Sequence, residues 1–312
     1  MNLRNVARRS RLFSRIGWSQ LPRRQRQERL TFLAFIAPNF ILFGVFTFWP
    51  LLYGLILSFT KWNMVSPVKQ VVGLENYLTM VREPIFWKVL GNTFYLAAGS
   101  IFVRLGIALF LALLLNQRLA ARDIYRAIIF SPTFTTGAAV ALVWTWILHD
   151  QYGLLRVPIK WLGFQSPAWL SDVRWTMPAI ILVTIWKGLG YDMVIFLAGL
   201  QSIPSDLYEA GRVDGAGRWA LFRHVTLPML SPITFFLVVT SIISALQAFD
   251  IVAVMTGGGP MNSSKVYVYY LYENAFKWFK VGYASALAIV LFVIILIVTI
   301  IQVRLSRRWV HY

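Results

Sequence analysis

PSDLYEAGRVDGAGRWALFRHVTLP, residues 204–228, is the stretch on which the organisation of this chain depends. It is the longest polar segment between two apolar runs, and each of those runs has the roughly 20-residue length that crosses a bilayer as a helix. A polar segment between two membrane spans lies at the membrane surface, where another protein can reach it. Its pattern predicts a short helix, a glycine turn and a second short helix.

Capping and turn residues inside this stretch predict where the two short helices begin and end. Ser205 or Asp206 is expected to act as the N-cap of the first helix. Gly215 and the glycine two positions later are expected to end it, because glycine adopts left-handed backbone without strain. Residues 219–225 are amphipathic and are expected to form the second helix, which should stop at Pro228. The alternative interpretation is an interfacial hairpin that has no partner.

The composition is that of a helical membrane protein. Of the 312 residues, 58% are hydrophobic and 16% aromatic, and the mean hydropathy is +0.63, which is too apolar for a soluble core. The chain has no cysteine, which excludes disulfides, thiolate catalysis and cysteine-ligated metals. Its three histidines are far apart in sequence, so no metal site is predicted. The predicted fold class is an all-α polytopic membrane protein.

Apolar runs predict six transmembrane helices. They fall at residues 31–59, 92–116, 125–148, 177–200, 229–253 and 281–303, and Pro38 and Pro50 are expected to bound or kink the first. The predicted domains are a basic tail at 1–29, a membrane domain at 30–305 that carries the 201–228 loop, and a short tail at 306–312.

The distribution of basic residues predicts the orientation in the membrane. Eighteen of the thirty lysines and arginines lie in the two tails and the loops near 117–126 and 201–228, against ten in the other three loops. Basic residues concentrate on the cytoplasmic side, so both termini and the 201–228 loop are expected in the cytoplasm. The net charge of +18 is therefore assigned to orientation and lipid contact, and nucleic acid is not expected as a partner.

Polar residues within the fifth span form a candidate path for a solute. Thr240, Ser244 and Gln247 recur at helical spacing, and Asp250 extends the polarity toward the outer end. Polar groups at membrane depth are costly, so they usually face a pore or a partner. The alternative is that they hold neighbouring helices together through hydrogen bonds.

The fourth span has a second polar cluster, with Gly188, Tyr191 and Asp192 near its middle. Arg104, within the second span, and Lys187 admit two interpretations. They either pair with Asp192 or Asp250 and hold helices together, or they offer positive charge to an anionic solute such as a uronate or glycerol phosphate. The sequence leaves both open.

The order of residues in the polar loop resembles the cytoplasmic "EAA" loop of the permeases of binding-protein-dependent ABC importers. The match covers Glu-Ala-Gly, a glycine after three further residues, and Val-Thr-Leu-Pro after nine more. Gly211 stands where the family has alanine. The resemblance implies that the loop contacts an ATPase through Glu209, Ala210, Gly211, Asp214, Gly215, Ala216, Leu227 and Pro228.

Other segments extend this resemblance to residues 30–305. GLENY at 73–77 is similar to a segment in the first outer loop of sugar-type permeases, and GGGP at 257–260 is similar to a loop after the fifth span. Arg122, Tyr125 and Arg126 resemble the family's approach to the third span. In the maltose-type permease that this chain resembles, the equivalents of Gly188, Tyr191 and the polar face of the fifth span bind sugar.

The resemblance also implies a set of partners. The chain carries one EAA loop, so it is expected to pair with a second, related permease, to bind two copies of an ABC ATPase, and to meet an extracytoplasmic solute-binding protein at residues 60–91, 149–176 and 254–280. No Walker A sequence occurs, so ATP is expected on the ATPase, with no cofactor on this chain. No paired carboxylates or nucleophile–base pair suggest an enzyme. A channel without ATP coupling and a membrane enzyme are the distant alternatives to this sugar permease of the cytoplasmic membrane.

Overall fold

A computed structural model describes residues 23–117 and 120–307, and within them the regular secondary structure is helical apart from one short hairpin. The hairpin pairs β1 (Thr60–Lys61) with β2 (Gln70–Val71) in antiparallel register, with Thr60 opposite Val71. The predicted all-α fold class is confirmed.

The α-helices of the described residues differ widely in length, from single turns to helices that can cross a bilayer. In chain order they are α1 (Arg23–Phe43), α2 (Trp49–Ser58), α3 (Glu75–Arg82), α4 (Pro84–Leu115), α5 (Arg122–Phe130), α6 (Gly137–Ile147), α7 (Arg156–Trp161), α8 (Thr176–Ser202), α9 (Ser205–Val213), α10 (Arg218–Leu221), α11 (Leu227–Met229), α12 (Ser231–Leu246), α13 (Asp250–Met255), α14 (Tyr267–Tyr272) and α15 (Val281–Ser306). Three π-helical turns, Gly44–Phe48, Phe222–Thr226 and Glu273–Lys277, and one 3₁₀ turn, Ser131–Phe134, connect some of them.

The chain divides into two compact units, residues 1–56 and 57–312. In the first unit, the described part is one helical run through α1, a π-helical turn and the start of α2. Pro38 lies inside α1, and the run continues past it and past Pro50, so neither proline bounds the helix. The predicted basic tail at 1–29 falls mostly on residues 1–22, outside the described residues, and α1 begins at Arg23 within it.

Five helices of the described residues are long and apolar enough to cross a membrane, or six when one bent pair is counted as a span. The five are Arg26–Ser58, Pro84–Leu115, Thr176–Ser202, Ser231–Met255 and Val281–Ser306. Their positions confirm the predicted spans, although the second begins earlier than the predicted residue 92.

The third predicted span, at 125–148, is bent in the structure. This region consists of the segments Arg122–Phe134 and Gly137–Ile147, which meet at 104°. Pro132 lies in the first turn of the 3₁₀ segment, where its missing N–H is tolerated, and Thr136 then starts α6 by accepting a hydrogen bond from the Ala139 N–H at 3.3 Å. A proline and a new N-cap close together end one helix and begin another.

The core of the second unit is built where α4 packs against α8 and α12. Ala108 and Ala112 of α4 are fully buried there, together with Leu237 of α12. On α8, an added Cβ at Gly199 would lie 2.9 Å from Leu230 Cδ2, so only glycine fits without a shift. Small residues let helix backbones approach closely, and close packing drives helix association in lipid. This packing holds the polar faces of the three helices next to one another.

Candidate functional site: a surface loop and a membrane cavity

The first helix of the 201–228 loop is α9, and its end has a specific geometry. Gly215 has φ +79°, the Ala216 N–H donates to the Gly211 carbonyl at 2.9 Å, and the Gly215 N–H donates to Arg212 at 3.0 Å. This pair of bonds is a Schellman motif, which requires left-handed backbone and therefore favours glycine. The predicted glycine end of the helix is confirmed at Gly215, whereas Gly217 is the N-cap of α10, with φ −72° and ψ 171°.

The start of α9 differs from the prediction. The N-cap is Pro204, and no side chain caps the helix. The Ser205 hydroxyl donates to the Asp206 carboxylate at 3.3 Å, and neither is the N-cap. Both residues already lie within the helix. Pro204, with φ −60° and ψ 134°, takes the N-cap position one residue earlier.

The predicted stop of the second helix at Pro228 is also wrong. The chain passes from α10 through the π-helical turn Phe222–Thr226 into α11. In this turn the Leu227 N–H donates to the Phe222 carbonyl, five residues back. Pro228, in the first turn of α11, needs no N–H there, so the wider turn accommodates a proline that would break a regular α-helix.

The loop is anchored on one side and open on the other. The Tyr208 hydroxyl and Thr226 Oγ1 lie 3.0 Å apart, and an added Cβ at Gly211 would lie 2.6 Å from Leu221 Cδ2. Gly211 is thereby explained, because α9 and α10 pack closely at that point. Glu209 is exposed, and it has no hydrogen bond or ion pair with any described residue.

A cavity of about 400 Å³ opens within the second unit, among α4, α8, α12 and α13. Its lining contains most of the residues predicted for a substrate path: Gly188, Tyr191, Asp192, Thr240, Ser244 and Asp250. Arg104, Lys187, Thr133 and Thr184 also line it. The structure thus brings together residues that are far apart in sequence.

Two of the lining residues, Arg104 and Asp192, form a buried ion pair. Arg104 Nε lies 2.7 Å from Asp192 Oδ2, and the Arg104 Nη2 donates to Ser241 Oγ at 2.6 Å. The side chains of Arg104 and Asp192 are 13% and 2% exposed. We call these three residues the clamp, because they join α4, α8 and α12. Of the two interpretations of Arg104, helix pairing is the one that the geometry supports.

Gly188 has a structural reason to be glycine. An added Cβ would lie 2.9 Å from Arg104 Cδ, so a larger residue would displace the arginine side chain. Gly188 therefore leaves the space through which Arg104 reaches Asp192.

The hydroxyl groups of the lining residues differ in whether they have a hydrogen-bond partner within the protein. Thr240 donates to the Phe236 carbonyl at 2.9 Å, whereas Ser244 is exposed and has no partner among the described residues. Thr133 Oγ1 is buried without a partner there. Tyr191 is 40% exposed and lines the cavity. These groups can exchange hydrogen bonds with a polyhydroxylated solute.

Gln247 lies apart from this group. It is the C-cap residue of α12, is exposed, and is absent from the cavity lining. The predicted stripe reaches Ser244 and then ends with the helix, because helical spacing no longer applies beyond residue 246. Asp250 lines the cavity from a different helix, because it is the first residue of α13.

The sequence did not predict several lining residues, among them Thr184 and Thr133. Thr184 shares a face with Lys187 and Tyr191 at helical spacing, so the period of α8 could have identified it. Thr133 lies in the 3₁₀ turn at the break of the third span. No sequence period points to it, because its position depends on the 104° bend.

A second cavity, of about 580 Å³, lies beside the hairpin. Among its lining residues are Lys61, Trp62, Glu83, Trp278 and Lys280, from the hairpin, α3 and the start of α15. The Glu83 carboxylate accepts hydrogen bonds from the hydroxyls of Tyr270 and Tyr283. Within the part of the chain that the structure describes, no cluster of histidine, aspartate and glutamate could hold a metal ion.

Membrane-spanning helices surround a polar cavity, and Glu209 on the surface loop has no partner among the described residues. This combination is typical of a membrane transport component. Residues 105–311 match the family model described as "Binding-protein-dependent transport system inner membrane component". The chain belongs to this family, and it is a permease of an importer that works with a solute-binding protein.

Curated relatives match over nearly their whole length. The chain is 37% identical to the probable ABC transporter permease protein YesP of Bacillus subtilis, covering 92% of this chain and 94% of the relative. It is 34% identical to the sulfoquinovosyl glycerol transport system permease protein SmoG of Agrobacterium fabrum, covering 94% and 97%. It is 33% identical to the multiple sugar-binding transport system permease protein MsmF of Streptococcus mutans, covering 88% and 94%.

A solved structure matches the fold. It is a chain of a bacterial ABC transporter involved in the import of the acidic polysaccharide alginate, with a TM-score of 0.80 and 25% identity over 91% of this chain and 98% of that one. The predicted membership of the importer permeases is confirmed.

Proposed function

We propose that this chain moves a sugar or sugar-like solute across the cytoplasmic membrane, through the cavity between α8 and α12. The observation that carries the proposal is the cavity lining, where a half-exposed tyrosine ring lies beside hydroxyls that have no internal partner. Sugar rings stack on aromatic faces, and their hydroxyls need paired polar groups. Two relatives, named as transport permeases for multiple sugars and for sulfoquinovosyl glycerol, support the same class of solute.

The exposed side of the 201–228 loop is, in this proposal, the docking site for an ABC ATPase. Glu209 supports it, because a carboxylate without an internal partner is available for a cationic group on another protein. Two copies of the ATPase bind the importer, one on this chain and one on a second, related permease. ATP is bound by the ATPase, and this chain has neither a cofactor nor a catalytic reaction of its own.

Both termini and this loop face the cytoplasm in the proposed orientation, which follows the excess of basic residues on that side. The hairpin and the loops at 149–176 and 254–280 then face outward and receive the solute-binding protein. The 580 Å³ cavity supports this assignment, because two tryptophans, Trp62 and Trp278, line it and aromatic residues are enriched at protein interfaces.

The experiment that tests the solute path is ATP-driven uptake by the reconstituted importer with Tyr191→Ala. We expect about a tenfold loss of sugar uptake, since the ring face and the hydroxyl are both removed, while ATPase binding persists. Tyr95→Ala is the matched control, because Tyr95 is an exposed tyrosine on α4 outside the cavity. Equal uptake by both variants would reject this path.

A further inference from the structure

The charged residues of the cavity are unequally compensated. Arg104 and Asp192 form an ion pair at 2.7 Å, and the arginine also donates to Ser241, so these two charges neutralise each other. The clamp leaves Lys187 and Asp250 as the remaining charged residues of the lining. The electrostatic interaction of the cavity with a solute therefore depends on Lys187 and Asp250.

Asp250 has local compensation. Its Oδ1 accepts the Ile251 N–H at 3.0 Å, and its carboxylate lies against Gly137, the first residue of α6. The N-terminus of a helix carries partial positive charge and stabilises a nearby carboxylate. A side chain at Gly137 would displace the carboxylate, so glycine at this position permits the contact.

Lys187 has no such compensation. It lines the cavity from the middle of α8, and within the described ranges it has no hydrogen bond, ion pair or ring contact. A lysine at membrane depth is costly unless it meets an anion or water. Thr133 also lines the cavity, and its Oγ1 is buried without a partner among the described residues.

We propose that Lys187 binds the carboxylate or sulfonate of an acidic sugar, so that the solute of this permease is an anionic carbohydrate. The inference rests on the proposed sugar transport and adds the charge of the solute. The clamp supplies fixed structure, Tyr191 and Ser244 meet the neutral part of the sugar, and the ammonium group of Lys187 meets its acidic group. A charge-assisted hydrogen bond of this kind is about twice as strong as a neutral one.

The test is uptake by the full importer, reconstituted with its ATPase and binding protein, with matched pairs of probes. Digalacturonate is compared with its methyl ester, and sulfoquinovosyl glycerol with glucosyl glycerol, so that each pair differs in the acidic group. We expect the wild-type importer to prefer an acidic member. Lys187→Gln should lower uptake of that member about tenfold or more, while Lys187→Arg should retain most of it.

Arg304→Gln is the control, because Arg304 is an exposed basic residue of α15 that lies outside the cavity and outside the loops assigned to the binding protein. Preference of the wild type for a neutral member, or wild-type uptake of the acidic member by Lys187→Gln, would overturn the inference and leave sugar transport standing. Loss of assembled importer in Lys187→Gln, with normal assembly in Lys187→Arg, would instead assign Lys187 to subunit contact and also overturn it. Uptake of neither class by the wild type would reject the proposed function itself.

Discussion

The 201–228 loop and the clamp use charged residues in opposite ways. In the loop, Glu209 is exposed and has no partner among the described residues. In the clamp, Arg104 and Asp192 are buried and bonded to each other. A charge left free at a surface is available to another molecule, whereas a charge paired inside the membrane domain fixes the positions of helices.

This difference separates effects on folding from effects on function. Substitutions in the loop should change coupling to a partner and leave the membrane domain folded. Substitutions in the clamp should first change stability, because they leave an unpaired charge in a buried place. Lys187 resembles the loop rather than the clamp in this respect, since its charge is also without a described partner.

The largest effect is expected when one half of the clamp is removed. Asp192→Ala leaves the Arg104 charge buried and uncompensated, which should destabilise the protein by about 3–5 kcal/mol. Thermal unfolding of the detergent-purified protein measures this. The double variant Arg104→Met with Asp192→Leu should recover much of the stability, because it removes both charges. If the double variant were as unstable as the single one, packing rather than charge would explain the loss.

Reversal of the free charge in the loop should have the next largest effect. Glu209→Lys should reduce ATPase co-purification and coupled transport by about 10–100-fold, which corresponds to loss of a hydrogen bond to a charged partner. The melting temperature should stay unchanged, because Glu209 makes no internal contact. Glu75→Lys, at an exposed residue of α3 on the proposed outer side, is the control for ATPase co-purification and for the melting temperature. Normal transport by Glu209→Lys would contradict the docking assignment.

Gly215 tests whether the shape of the loop matters as well as its charge. Gly215→Ala forces a side chain onto backbone with φ +79°, at a cost of about 1–2 kcal/mol. We expect weaker ATPase binding with a smaller change than for Glu209→Lys. Gly217→Ala is the matched control, because Gly217 has φ −72° and open space at its Cβ position. Equal binding by the two variants would show that the left-handed turn is dispensable.

The sequence predicted those features that neighbouring residues determine, and it did not predict those that depend on packing between distant residues. The glycine end of α9 was predicted because the Schellman motif involves neighbouring residues. The bend of the third span and the passage through Pro228 were not, because the 3₁₀ and π turns that accommodate them are set by packing. Arg104 and Asp192 are 88 residues apart, and the sequence offered Asp250 as an equal candidate partner.

The smallest effect separates two residues of the predicted polar stripe. Ser244→Ala should lower sugar uptake by about fivefold, the equivalent of one hydrogen bond, because its hydroxyl faces the cavity without an internal partner. Gln247→Ala should have a smaller effect, because Gln247 follows the end of α12 and lies outside the cavity lining. Concentration dependence of uptake measures both, and assembly of the importer should be unchanged in each. A larger loss for Gln247→Ala would mean that the solute path continues past the end of α12, toward the side on which Asp250 lies.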